Sequence, residues 1–130
     1  MENKVQFTSQ YVLEPIDIVI CMLGRIQNET VSIAIDLTSR WNYIDIKLTN
    51  KLQLAEEEVK IAITQEYDDK INNLELNIDE YSPKCIFCVL QTNEVDVVLG
   101  NSWLKSVGMF TMNVDKKYIA FKHLTNKIML

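Results

Sequence analysis

Asp96-Val97-Val98-Leu99-Gly100-Asn101-Ser102-Trp103-Leu104 is the stretch whose reading decides the fold. Val97, Val98 and Leu99 form a short apolar run, rich in β-branched residues, of the kind that makes a buried strand. Gly100 interrupts it. Trp103, Leu104 and Val107 then follow Leu99 at helical spacing, and Gly108 is placed to close that helix. Upstream, Ile33-Ala34-Ile35-Asp36-Leu37-Thr38-Ser39 is an apolar strand that ends on a carboxylate, a group costly to bury without compensation.

Working outward, Ile16 to Met22 reads as a strand and Gly24 to Thr30 as the connection that follows it. Leu48, Leu52 and Leu54 predict a short helix within Leu48–Glu58. Val59–Ile63 and Ile71–Ile78 alternate apolar with polar residues and flank the polar run Thr64–Lys70, predicting a long hairpin with its tip there. Cys85–Leu90 is a further buried strand. Met109–Asn113 and Tyr118–Phe121 form a last hairpin over Val114–Lys117. The fold class is therefore mostly β, a single closed β domain of about seven to nine strands with one or two short helices. It is expected to span residues 1–130 with its core at about 16–123. Ile33, Ile35, Val97, Leu99, Trp103 and Phe121 are expected in one buried cluster, with Cys85 or Cys88 beside it.

The chain has 130 residues, 13 basic against 18 acidic, a net charge of −5. That balance provides no broad footprint for nucleic acid or anionic lipid, so neither is expected as a partner. No apolar run reaches the ~20 residues that span a bilayer. Met1 to Thr8 is mixed and polar, unlike a signal peptide. Three cysteines, Cys21, Cys85 and Cys88, do not make a disulfide framework and predict a reducing, intracellular, cytoplasmic setting. Cys85-x-x-Cys88 lies in an apolar strand, and zinc would need Cys21 and His123 to converge from distant segments. Small buried core thiols are the expectation, with no metal and no cofactor. His123 is the sole histidine, which leaves Ser/His or Cys/His nucleophilic pairs without support.

In their order, the strand ending at Asp36, the segment Asn42-Tyr43-Ile44, the run Asp96 to Leu104 and the hairpin Val114-Asp115 to Ile119-Ala120-Phe121 resemble the retropepsin-like aspartic peptidases of gypsy-type LTR retrotransposons and their relatives. The resemblance spans roughly Asp17 to Phe121, and the Asp96–Leu104 match is its more specific part.

The resemblance implies a catalytic role for Asp36 in a homodimer, since one chain supplies only half of a paired-carboxylate site. It implies a peptide or polyprotein substrate and a site loop of Leu37, Thr38 and Ser39. The family pattern follows its Asp with a hydroxyl residue and then Gly. Here Leu37 and Thr38 stand in those places, so a substitute hydroxyl would come from Thr38 or Ser39. The family's flap corresponds to the hairpin carrying Glu66, Tyr67 and Asp68, which has an acidic tip without glycine. Two functions follow from these features: a working aspartic endopeptidase, favoured by Asp36, or an inactive dimerisation or peptide-binding module, favoured by Leu37-Thr38.

Overall fold

The computed structural model describes residues 10–11, 19–54, 57–61 and 66–130. Its elements in chain order are β1 (Gln10–Tyr11), β2 (Val19–Ile26), β3 (Glu29–Asp36), β4 (Tyr43–Asp45), α1 (Ile46–Leu52), β5 (Glu57–Ile61), β6 (Glu66–Glu75), β7 (Lys84–Thr92), β8 (Val97–Leu99), α2 (Asn101–Val107), β9 (Phe110–Asn113), β10 (Tyr118–His123) and β11 (Asn126–Met129). The molecule is mostly β with two short helices among the described residues, as the hydrophobic periodicity requires. No helix there is long and apolar enough to cross a membrane.

The main sheet runs β2-β3-β8-β4-β7-β6-β5, with β1 pairing parallel to β7. At its centre β3 pairs parallel with β8, β8 antiparallel with β4, and β4 parallel with β7. This arrangement brings the ends of β3 and β8, distant in sequence, side by side. A second sheet, β11-β10-β9, is built from the last third of the chain.

The expected cluster forms. Ile33, Ile35, Val97, Leu99, Trp103, Phe121 and Cys85 belong to one buried core, and Cys88 is buried outside it. Trp103 is the largest fully buried side chain, and its indole Nε1–H donates to the Tyr81 hydroxyl at 2.8 Å. Tyr81, Trp103 and Phe121 meet edge to face, with ring centroids 5.1 to 6.3 Å apart.

Three expectations shift. Gly24 lies within β2, and the chain reverses at Gln27, whose φ is 57°. The glycine serves a close approach: a Cβ there would stand 2.6 Å from the Ile33 side chain and 2.8 Å from the Asn77 carbonyl, beside the Arg25–Asn77 bridge. The helix expected over Leu48–Glu58 is α1, ended early by Gln53 in the left-handed region. Finally, Glu66 to Lys70 is not a turn but the start of β6, paired residue for residue with β5 from Ile61↔Glu66 to Glu57↔Lys70. Asp68 and Asp69 suggested a turn locally, whereas cross-strand pairing sets the conformation. Residues 62–65 lie outside the described residues.

Candidate active site

Asp36 is the last residue of β3 and is only 2% exposed. Its carbonyl accepts the Ser39 N–H at 3.2 Å, closing a turn over residues 36–39. Its side chain specifies the same turn. Asp36 Oδ1 accepts the Thr38 backbone N–H at 2.9 Å and the Thr38 hydroxyl at 2.6 Å. Such bonds from a carboxylate to backbone two residues on are what make Asp a strong turn former. Donors aimed at one oxygen also fix its direction.

Leu37, next in the loop, packs its side chain against the main core. Ser39 is buried, and its hydroxyl donates to the Trp41 carbonyl at 2.9 Å. All four candidate loop residues, Asp36 to Ser39, are thus in one turn. The substitute hydroxyl at Thr38 points to its own chain's Asp36.

A second segment clamps this loop from behind. The Asn101 and Ser102 N–H groups donate to the Ser39 and Arg40 carbonyls at 2.7 and 3.2 Å. Gly100 makes the contact close enough: a Cβ there would meet the backbone carbonyl oxygens of Trp41 and, at 2.6 Å, of Ser39. Asn42 completes the clamp. Its Oδ1 accepts the Gly100 N–H at 2.9 Å, its Nδ2 donates to the Ile86 carbonyl at 3.2 Å, and its own carbonyl accepts the Cys88 N–H at 2.8 Å. Asn42 is 2% exposed, and the bond it accepts from Gly100 is buried, shielded from water. The family resemblance marked Asn42, but its clamp role was not legible, because its partners are far away in sequence. The signal was a polar residue opening the apolar run Tyr43-Ile44.

Two further acids secure strand ends. Asp96 Oδ2 accepts the Ser32 N–H and hydroxyl at 2.9 and 3.2 Å, locking β8 to β3. Asp45 Oδ1 accepts the Thr92 N–H at 3.0 Å. Both carboxylates bind within the fold.

Glu66, Tyr67 and Asp68 open β6, paired with Ile61, Lys60 and Val59 of β5, and so lie at the end of the β5–β6 hairpin next to residues 62–65. No group of His, Cys, Asp and Glu among the described residues is arranged to hold a metal ion. Burial pushes the Cys85 thiol up to about 11, which makes it an unreactive core residue.

The sequence matches no protein-family model and no curated protein. Solved structures do match. The retroviral protease-like domain of Ddi1 from Leishmania major superposes with a TM-score of 0.62 at 12% identity, covering 86% of this chain and 94% of that one. A retropepsin-like aspartic protease from Rickettsia conorii gives a TM-score of 0.54 at 13% identity, covering 74% and 83%. With so little identity, these matches speak to architecture. The chain has the retropepsin-like fold.

Proposed function

We propose that the chain is an aspartic endopeptidase domain of the retropepsin type, from a retroelement or a gene derived from one, spanning residues 1–130. It works as a homodimer with one Asp36 from each protomer, on extended peptide or polyprotein segments. The three free thiols fit a reducing, intracellular compartment. One observation carries this reading: Asp36 ends a central strand, nearly buried, with a backbone N–H and a hydroxyl both donated to Oδ1.

Across a two-fold axis, two such carboxylates repel when both are charged, so the pair holds one shared proton. The ionised member accepts a proton from a water, whose oxygen attacks the peptide carbonyl carbon. The protonated member gives its proton to the carbonyl oxygen. Collapse of the tetrahedral species returns a proton to the leaving amine and breaks the C–N bond. The turn of Thr38 and the clamp of Gly100 and Asn42 keep the carboxylate's direction fixed meanwhile.

A specific observation favours the second reading, an inactive dimerisation or peptide-binding module. Leu37 is committed to the core and the Thr38 hydroxyl to its own Asp36, so neither reaches toward a second chain. A cleavage assay over a peptide library at acidic and neutral pH, beside Asp36→Asn, separates the two. Cleavage that disappears in Asp36→Asn supports the peptidase. An inert wild type that still dimerises and retains peptides supports the module, and a strict monomer in sedimentation overturns both.

A further inference from the structure

The main sheet has two faces, and Asp36 is not on the one that packs the core. Ile33, Ile35, Val97, Leu99 and Ile44 belong to the main core. Side chains alternate along a strand, so Ala34 and Asp36 share the opposite face of β3. The register carries that face sideways. Ala34 stands beside Val98 of β8, Val98 beside Tyr43 of β4, and Tyr43 beside Cys88 of β7. Ala34, Val95 and Val98 form a separate small apolar cluster there, and the partly buried Tyr43 packs against it.

This cluster is the floor next to Asp36 on the β8–β4 side, and it is already covered. Ala34 and Val98 are 0% exposed, whereas Tyr43 keeps part of its surface open. On the β2 side, the residue directly opposite Ala34 is Cys21, which is exposed. Adjacent strands lie about 4.8 Å apart and successive residues about 3.3 Å apart, which sets the Cα atoms of Tyr43 and Asp36 roughly 12 Å from each other. A ring packed on the cluster between them lies within about two residues' length of an extended peptide held at Asp36.

We infer that Tyr43 limits the size of the substrate side chain seated beside Asp36, and that this position takes a small residue such as Ala, Gly or Ser. The inference rests on the reading of Asp36 as the reacting group of a peptide-cleaving homodimer. Each protomer then contributes one Asp36 and one Tyr43, so the limit applies on both sides of the cut bond. A side chain as large as Phe would have to displace the ring from Ala34 and Val98, exposing apolar surface that is now covered. Replacing the ring by a smaller group uncovers those two residues and leaves a hole that a large apolar substrate side chain fills. A hydrophobic pocket discriminates a single methylene by about 10–200-fold, so the change is measurable.

The test uses the full chain and starts from the octapeptide that wild type cuts fastest in the library or, where none is cut, retains most tightly. Ala, Leu and Phe are placed in turn at each of its four central positions. Cleavage is followed directly, and fluorescence anisotropy in an Asp36→Asn background reads binding without cleavage. Wild type should prefer Ala over Phe by at least about tenfold at one or more of these positions. Tyr43→Ala and Tyr43→Val, the second keeping a strand-forming residue, should reverse the order there and leave the other positions unchanged. Tyr43→Phe keeps the ring and should behave as wild type. Circular dichroism checks that each variant is folded. An unchanged order in both Tyr43→Ala and Tyr43→Val overturns the inference while the reading of Asp36 stands. So does a wild-type preference for Phe at all four positions, or a Tyr43→Phe variant that behaves like Tyr43→Ala. A wild type that neither cuts nor retains any library member overturns the reading of the site itself, and the inference falls with it.

Discussion

The Thr38 hydroxyl donates to Asp36 Oδ1 at 2.6 Å, beside the Thr38 N–H on the same oxygen at 2.9 Å. Thr38 stands where the resemblance in sequence leads one to expect glycine, and it supplies a hydroxyl bond that glycine cannot make. Its φ is not in the left-handed region, so the turn itself does not ask for glycine at this position. Thr38→Val keeps the shape and removes the hydroxyl. Hydrogen bonds to charged groups contribute about 1.5–3 kcal/mol, and a loss of about 1–2 kcal/mol in urea unfolding is expected. In an Asp36→Ala background, where the acceptor is gone, the same change should cost less, giving a coupling energy of about 1 kcal/mol. Additive effects would mean that the bond contributes nothing.

The double change Leu37→Thr with Thr38→Gly would introduce the residue types that the resemblance in sequence leads one to expect, yet it removes two things this chain uses. Leu37 loses apolar contact with the core, and the Asp36 oxygen loses a donor. Glycine also adds unfolded-state freedom worth about 0.5–1 kcal/mol. The variant should be less stable by about 2–4 kcal/mol in total. Unchanged or increased stability would show that the Leu37-Thr38 pair is not integrated in the fold as described.

Gly100→Ala is expected to be far more damaging than its size suggests. The added methyl meets the carbonyl oxygens of Trp41 and Ser39, both backbone atoms that cannot rotate away. Relief would require the Asp36 loop to separate from α2, breaking the bonds from Asn101 and Ser102. A loss above about 2 kcal/mol is expected, together with faster amide exchange at Thr38 and Ser39. Near-wild-type stability and exchange would refute the clamp.

The pattern of legible and illegible features follows from which interactions are local. The strand ending at Asp36 and the strand-glycine-helix run from Asp96 to Leu104 are written in short-range periodicity, so the core they build could be anticipated by name. The Asx-type turn at Asp36 was also within reach, since its partner is two residues away. Asn42 with Gly100, Asp96 with Ser32, and Gly24 with Asn77 join segments dozens of residues apart, and no local pattern carries them. The β5–β6 register failed for a related reason: the acidic run at Asp68-Asp69 has turn chemistry, but a paired partner strand outweighs that preference.

Trp103 carries a packing role and a polar one, and two substitutions separate them. Trp103→Ala should cost about 3–5 kcal/mol, the usual range for a fully buried aromatic. Trp103→Phe keeps most of the contacts with Tyr81 and Phe121 but leaves the Tyr81 hydroxyl without its donor. A loss of about 1–2 kcal/mol is expected from that alone, with additional loss from reduced ring volume. If both variants unfold like the wild type, Trp103 does not occupy the core.

Cys85 ties stability to alkaline pH. Burial alone raises its thiol from 9.0 to about 11 in the folded chain. Between those values the unfolded chain has lost the proton and the folded chain retains it. The unfolded state then binds fewer protons, so unfolding becomes easier as pH rises. The effect is absent below about pH 8, where both states keep the thiol protonated, and it levels off above about pH 11. The neighbouring Tyr81 adds a loss of the same sign at higher pH, because burial raises its hydroxyl despite the opposing Trp103 hydrogen bond. Cys85→Ala lowers stability at neutral pH through the lost volume but removes the thiol's contribution to the slope. Urea unfolding at about pH 8 and about pH 10.5 should show the wild type losing about 1–2 kcal/mol more than Cys85→Ala over that interval. Maleimide labelling supplies an independent check near neutral pH: exposed Cys21 should react first, and Cys85 only upon unfolding. Parallel pH profiles, or early labelling of Cys85, would place that thiol in water and remove it from the core.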